Sequence, residues 1–104
     1  MQTFQYQDLS VHISEHARNR MAQRAVPVHV VDALLAIGKR DHDHRGGVRI
    51  HVHQKAAKRR FSAALGAAAG SQYQNVYAVL VGDSETSSST LVTVGRIHAG
   101  ARFR

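Results

Sequence analysis

The chain has 104 residues, enough for one domain with a modest core and too few for two. A hydrophobic content of 43% argues against wholesale disorder, the lack of cysteine excludes disulfides and Cys-ligated zinc, and no apolar run approaches the ~18 residues that span a bilayer. The formal charge of +7, with eight His besides, points to a polyanionic partner such as nucleic acid, ahead of an acidic membrane surface or protein; the alternative is an inert basic surface.

Residues 1–11, MQTFQYQDLSV, lack the basic-then-apolar layout of a secretory signal, so a soluble cytoplasmic protein is expected. Scattered Phe4, Tyr6 and Leu9 suggest a short extended lead-in. The first helix is predicted from Ser14 to Arg24, with Ser14 as N-cap and Glu15 at the positive end of the dipole. Its apolar stripe is Ile13, Ala17 and Met21. His16, Arg20 and Arg24 recur every four residues and form a second stripe beside it. Pro27 opens a more apolar second helix that runs to Ile37 and stops at Gly38.

Gly46-Gly47 predicts a two-residue hairpin turn. With that loop, Arg45 pairs with Val48 and His42 with His51, so Val48, Ile50 and Val52 share the apolar face. Arg40, His42, His44, Arg49, His51 and His53 then share the other face, while Asp41 and Asp43 fall awkwardly on the apolar side. A third helix is expected over residues 54–65, with Ala57, Phe61, Ala64 and Leu65 inward. Residues 66–71, GAAAGS, read as a small-residue connection, and NVYAVLV at 75–81 as a central strand. Residues 82–89 form a Ser/Thr-rich loop, and residues 90–98 the last strand, in which Gly95 marks a bulge or a close approach. The expected fold is α+β: two N-terminal helices packed on a twisted four-stranded antiparallel sheet, with a third helix between strands 2 and 3, in a single domain.

Three groups of residues could carry chemistry. In the first helix, His16 could move a proton while Arg20 and Arg24 bind phosphate, as metal-independent RNA cleavage requires. The alternative is that the two Arg tie to acids or carbonyls at the sheet edge. The hairpin face is a dense imidazole and guanidinium surface for phosphate; it could also hold a transition metal through His51, His53 and His42, although no carboxylate supports them on that face. In the last strand, Arg96 and His98 share a face at its end and suggest a cleft mouth. Lys55, Lys58, Arg59 and Arg60 form a solvated helix face or a non-specific phosphate contact, and with Arg40 and Arg49 would bind a nucleic-acid backbone. Tyr73 and Tyr77 could stack on bases or belong to the core and rim. Only five Asp and two Glu are present, which argues against two-metal nuclease chemistry.

The combination of His16-Ala17-x-x-Arg20-Met21-x-x-Arg24, a second helix ending at Gly38, a Gly-Gly-Val-Arg strand, Asn75-Val76-Tyr77-Ala78-Val79 and Val92-Thr93-Val94-Gly95-Arg96 resembles the bacterial domain-of-unknown-function family 4258 over most of residues 12–97. The resemblance implies a barnase–EndoU–colicin–RelE-like fold, related to toxin ribonucleases of the RelE and BrnT type. His16, Arg20 and Arg24 match the helix motif, and Thr93 and Arg96 the strand motif. The implied function is a metal-independent endoribonuclease-like toxin domain acting on RNA without a cofactor, with a cognate antitoxin or immunity protein as partner. The catalytic set expected on this reading is His16, Arg20, Arg24 and Arg96 from the matched motifs, with His51, from the hairpin register alone, or His98 as the second proton-transfer group. Two alternatives stay open: a non-catalytic nucleic-acid-binding module, and a histidine-rich metal-binding or protein-interaction domain.

Overall fold

A computed structural model of the chain describes residues 2–6, 9–42, 46–83 and 88–97. The chain is α+β, as expected, but it opens with strands. Strands β1 (Gln2–Tyr6) and β2 (Leu9–Ile13) precede helix α1 (Glu15–Gln23) and helix α2 (Val28–Ile37). Strands β3 (Lys39–His42) and β4 (Gly47–His51) follow, then helices α3 (Lys55–Leu65) and α4 (Ala67–Tyr73), and strands β5 (Val76–Asp83) and β6 (Ser88–Arg96). The lead-in is therefore a hairpin in which Leu9, Val11 and Ile13 alternate with Ser10 and His12, the period of a half-buried strand.

The sheet has six strands in the order β1-β2-β6-β5-β4-β3. It is mixed rather than four-stranded and antiparallel, because β2 runs parallel to β6 while every other pair is antiparallel. Ser14 extends the parallel ladder by donating its N–H to Leu91 O at 3.1 Å, and its Oγ then caps α1 by accepting from the Ala17 N–H at 3.0 Å. One residue thus ends a strand and starts a helix.

One core occupies one side of the sheet. Val11, Ile13, Ile50, Val76, Ala78, Leu80, Leu91 and Val94 from the strands, and Val52 just past β4, meet Ala17 and Met21 of α1, Val30, Val31, Leu34 and Leu35 of α2, and Phe61 of α3. In α3, Ala57 and Leu65 pack against this cluster, but Ala64 is exposed. The segment 66–71, expected to be a connection, is mostly helix: Gly66, at φ +94°, breaks the chain direction, and α4 turns back on α3. Gly70 makes that crossing close, since a Cβ there would run into the backbone and side chain of Ser62. Gly38 ends α2 with an extended backbone rather than a left-handed one; its role is space, because a Cβ would stand 2.5 Å from Ile50 Cγ2. The described helices all lie on this side. The opposite side of β3 to β6 is uncovered among the described residues.

Candidate nucleic-acid interface

The observed hairpin register differs from the expected one, and the difference builds the site. Lys39 pairs with His51, Arg40 with Ile50, Asp41 with Arg49 and His42 with Val48. The expected register paired His42 with His51, so β3 is displaced by three residues along β4. An odd displacement exchanges the two faces of a strand. Asp41 therefore shares the uncovered face with Arg49 and His51, whereas Arg40 and His42 move to the edge of the covered side. The connection is longer than Gly46-Gly47, since Gly47 is already in β4, opposite Val81. Of the remaining hairpin residues, Asp43, His44 and Arg45 lie outside the described residues.

Two cross-strand rows run over the uncovered face. One is Gly95, Tyr77, His51 and Lys39; the other is Thr93, Val79, Arg49 and Asp41. A register irregularity between Val79 and Leu80 leaves Val92 unpaired, yet keeps Thr93 on this face. Thr90 and His12 continue it across the parallel pair. Arg49, Tyr77, Val79, Thr93, Thr90 and His12 are half-buried, and Val81 is 42% exposed, consistent with a sheet face that no described helix covers. Thr3 Oγ1 and His12 Nδ1 share a hydrogen bond of 3.0 Å.

His51 is the most enclosed polar group here, at 6% exposure. Its Nε2 meets Asp41 Oδ2 at 2.8 Å, and the ring of His53 stands edge-on to it with centroids 5.7 Å apart. The hydrogen bond from His51 holds the Asp41 carboxyl below the usual carboxylate range, helped by the nearby charge of Lys39 and by His51 and His53, while burial works against it. Lys39 Nζ is 3.9 Å from Asp41 Oδ1. Asp41 is the only acid among the described side chains of this face, and Lys39, Arg49, His51 and His12 leave the face basic.

The helix stripe lies on the other side of the molecule. His16 is exposed on α1, and Arg20 Nη1 donates to Gln23 Oε1 at 3.2 Å within the same helix. Arg24 is the C-cap of α1; its Nε is buried with no partner among the described residues. Its carbonyl accepts from Arg96 Nη2 at 3.3 Å. Arg96 also donates through Nη1 to Gln72 O at 2.8 Å and Asn75 Oδ1 at 3.0 Å, and its guanidinium lies 5.4 Å from the Tyr73 ring centroid. Tyr73 in turn donates to Ala25 O at 3.1 Å. The Arg96 guanidinium thus gathers the Arg24 and Gln72 carbonyls and the Asn75 side chain into one knot, separated by the sheet from His51. Arg40 Nη2 donates to Leu35 O at 3.2 Å and finishes the last turn of α2. His98 lies outside the described residues.

The basic run of α3 faces water. Lys55, Arg59 and Arg60 are exposed, Lys58 is half-buried, and none forms an ion pair among the described residues. No acid sits in the first turn of α3 and Gln54 supplies no side-chain cap, so nothing in the first turn or at the cap offsets the positive end of this helix. Among the described residues no group of three or more His, Asp or Glu is placed to hold a metal ion. His42, on the far side of its strand, does not join His51 and His53. No described helix is long and apolar enough to cross a membrane.

Sequence reasoning named Arg49 and His51 but passed over Asp41, Lys39 and the pairing of Tyr77 with Gly95. The signal available was Asp41 itself: a carboxylate assigned to an apolar face argues for another register. With the geometry in hand, comparison with known proteins adds no relative: no family model, no curated protein and no solved structure matches the chain.

Proposed function

We propose that the protein binds RNA on the uncovered face of β3 to β6. The observation that supports this is the chemistry of that face: Lys39 and Arg49 with the imidazoles of His12, His51 and His53, against one carboxylate among its described side chains, which His51 and Lys39 engage. Half-buried Tyr77, Val79 and Thr93 lie between these groups and give bases an apolar surface. The exposed basic residues of α3 stand on the covered side of the sheet, but α3 begins a few residues past the end of β4, so an RNA that leaves the uncovered face over that edge would meet them. RNA affinity should fall steeply with salt, log K declining linearly with log salt concentration. Lys55→Glu with Arg59→Glu should weaken binding and flatten that slope by roughly one for each phosphate no longer neutralised. Affinity that ignores salt would contradict the proposal.

A catalytic form of this function is favoured by one observation, the imidazole of His51 held by Asp41 beside Arg49. It corresponds to the metal-independent endoribonuclease implied by the likeness to family 4258, a bacterial toxin restrained in the cytoplasm by an antitoxin or immunity protein. In such a reaction the RNA 2′-oxygen bonds to phosphorus as its proton passes to a base. The bond to the 5′-oxygen breaks and that oxygen takes a proton, leaving a 2′,3′-cyclic phosphate and a 5′-hydroxyl. RNA incubated with the protein in EDTA should then be cut, and His51→Ala should abolish the cut. Intact RNA would leave a binding module.

A further inference from the structure

Tyr77 sits at the centre of the uncovered face, in the interior strand β5, between Gly95 of β6 and His51 of β4. Gly95 is buried, and its lack of a side chain is what lets the tyrosine lie down. A Cβ built on Gly95 would stand 2.6 Å from Tyr77 Cζ and Oη and 2.7 Å from its Cε1. The phenol end of the ring therefore lies across the neighbouring strand instead of standing off the sheet. The side chain remains half-buried, so the ring is only partly covered by protein. Thr93 and Arg49 stand in the adjacent row, and Lys39 at the end of its own. An aromatic ring laid along an open sheet, with cations at the margin, suits a flat, electron-rich group carried on a polyanion.

The geometry points to Tyr77 as a stacking platform for an unpaired nucleobase, so that the ligand of this face is single-stranded RNA and not duplex. This rests on the RNA-binding function proposed above and assigns it a ligand class. A duplex buries its base faces against one another and offers side chains only its phosphates, its 2′-hydroxyls and the base edges in a wide, shallow groove. It has no unpaired base to give to a ring that lies across a strand. A single strand can splay a base onto Tyr77 while its phosphates reach Lys39 and Arg49. Stacking on a tyrosine tolerates any base, so weak sequence preference is part of the expectation.

The test compares binding of a single-stranded oligoadenylate with binding of a blunt RNA duplex of the same length, across a salt series. The wild-type protein should prefer the single strand. Tyr77→Phe should keep that affinity, because the ring remains. Tyr77→Leu keeps apolar cover over Gly95 but has no π face, and should lose about ten-fold in single-strand affinity. Gly95→Ala, which pushes the ring out of its place, should lose a similar factor. In each variant the salt slope should stay as in wild type, since no phosphate contact is removed. Folded Tyr77→Leu protein with wild-type affinity, or equal wild-type affinity for duplex and single strand, overturns the stacking role and leaves RNA binding standing. A wild-type protein that binds neither RNA overturns the function beneath it as well.

Discussion

Arg96 donates to Gln72 O, Arg24 O and Asn75 Oδ1, so one guanidinium fastens the ends of α1 and α4 and the start of β5. Its fork is satisfied by protein oxygens, which favours a role in stability. Arg96→Ala should cost about 2 kcal/mol in chemical denaturation, because charge-assisted bonds to oxygens are the stronger class. Arg96→Lys should recover little, since an ammonium cannot reproduce the fork. His16, exposed and without a described partner, should change stability by less than about 0.5 kcal/mol when replaced by Ala. Asp41 gives the pH dependence. Its folded carboxyl titrates below its ordinary value, so its contribution is complete above the unfolded pKa of about 4 and is lost as pH falls through the folded value. The difference in urea midpoint between wild type and Asp41→Asn should therefore shrink below about pH 4. A difference that grows with acid would contradict the role of the His51 bond.

At the scale of elements, periodicity made the helices legible. Ser14 caps α1 and Pro27 precedes α2 as their side chains dictate, and Phe61 brings α3 onto the core. The central strand β5 also follows from its apolar run. Other elements lie beyond local pattern. The register of β3 on β4 is set by Asp41 meeting His51 and by Arg40 reaching Leu35 O, pairings that no turn rule brings together. Residues 66–71 look like a linker because Gly and Ala carry no periodic signal; α4 exists because Gly70 lets it close on Ser62. Strands β1 and β2 had a period-two pattern at Leu9, Val11 and Ile13, but the partner of β2 is β6, far along the chain. Gly70→Ala should accordingly destabilise the protein by about 1–3 kcal/mol, the usual cost of forcing atoms into a packed contact, read as a lower melting temperature. An unchanged melting temperature would mean that the two helices are not held in close contact.

For the whole molecule, the sheet is a partition. The helices, the core and the Arg24–Arg96 knot lie on one side; Tyr77, Arg49, His51 and Asp41 lie on the other. The helix stripe that first draws attention in the sequence is thus separated from the histidines expected to work with it, because α1 packs on the covered side of β6 through Ala17 and Met21. The proposed RNA binding uses the uncovered side, and one titration separates the two surfaces. With methyl groups labelled, a single-stranded RNA oligonucleotide added to the protein should shift the NMR signals of Val79, Val81 and Thr93, and leave Ala22 of α1 in place. Shifts confined to Ala22 and its neighbours in α1, with Val79, Val81 and Thr93 unmoved, would contradict the assignment of the binding face.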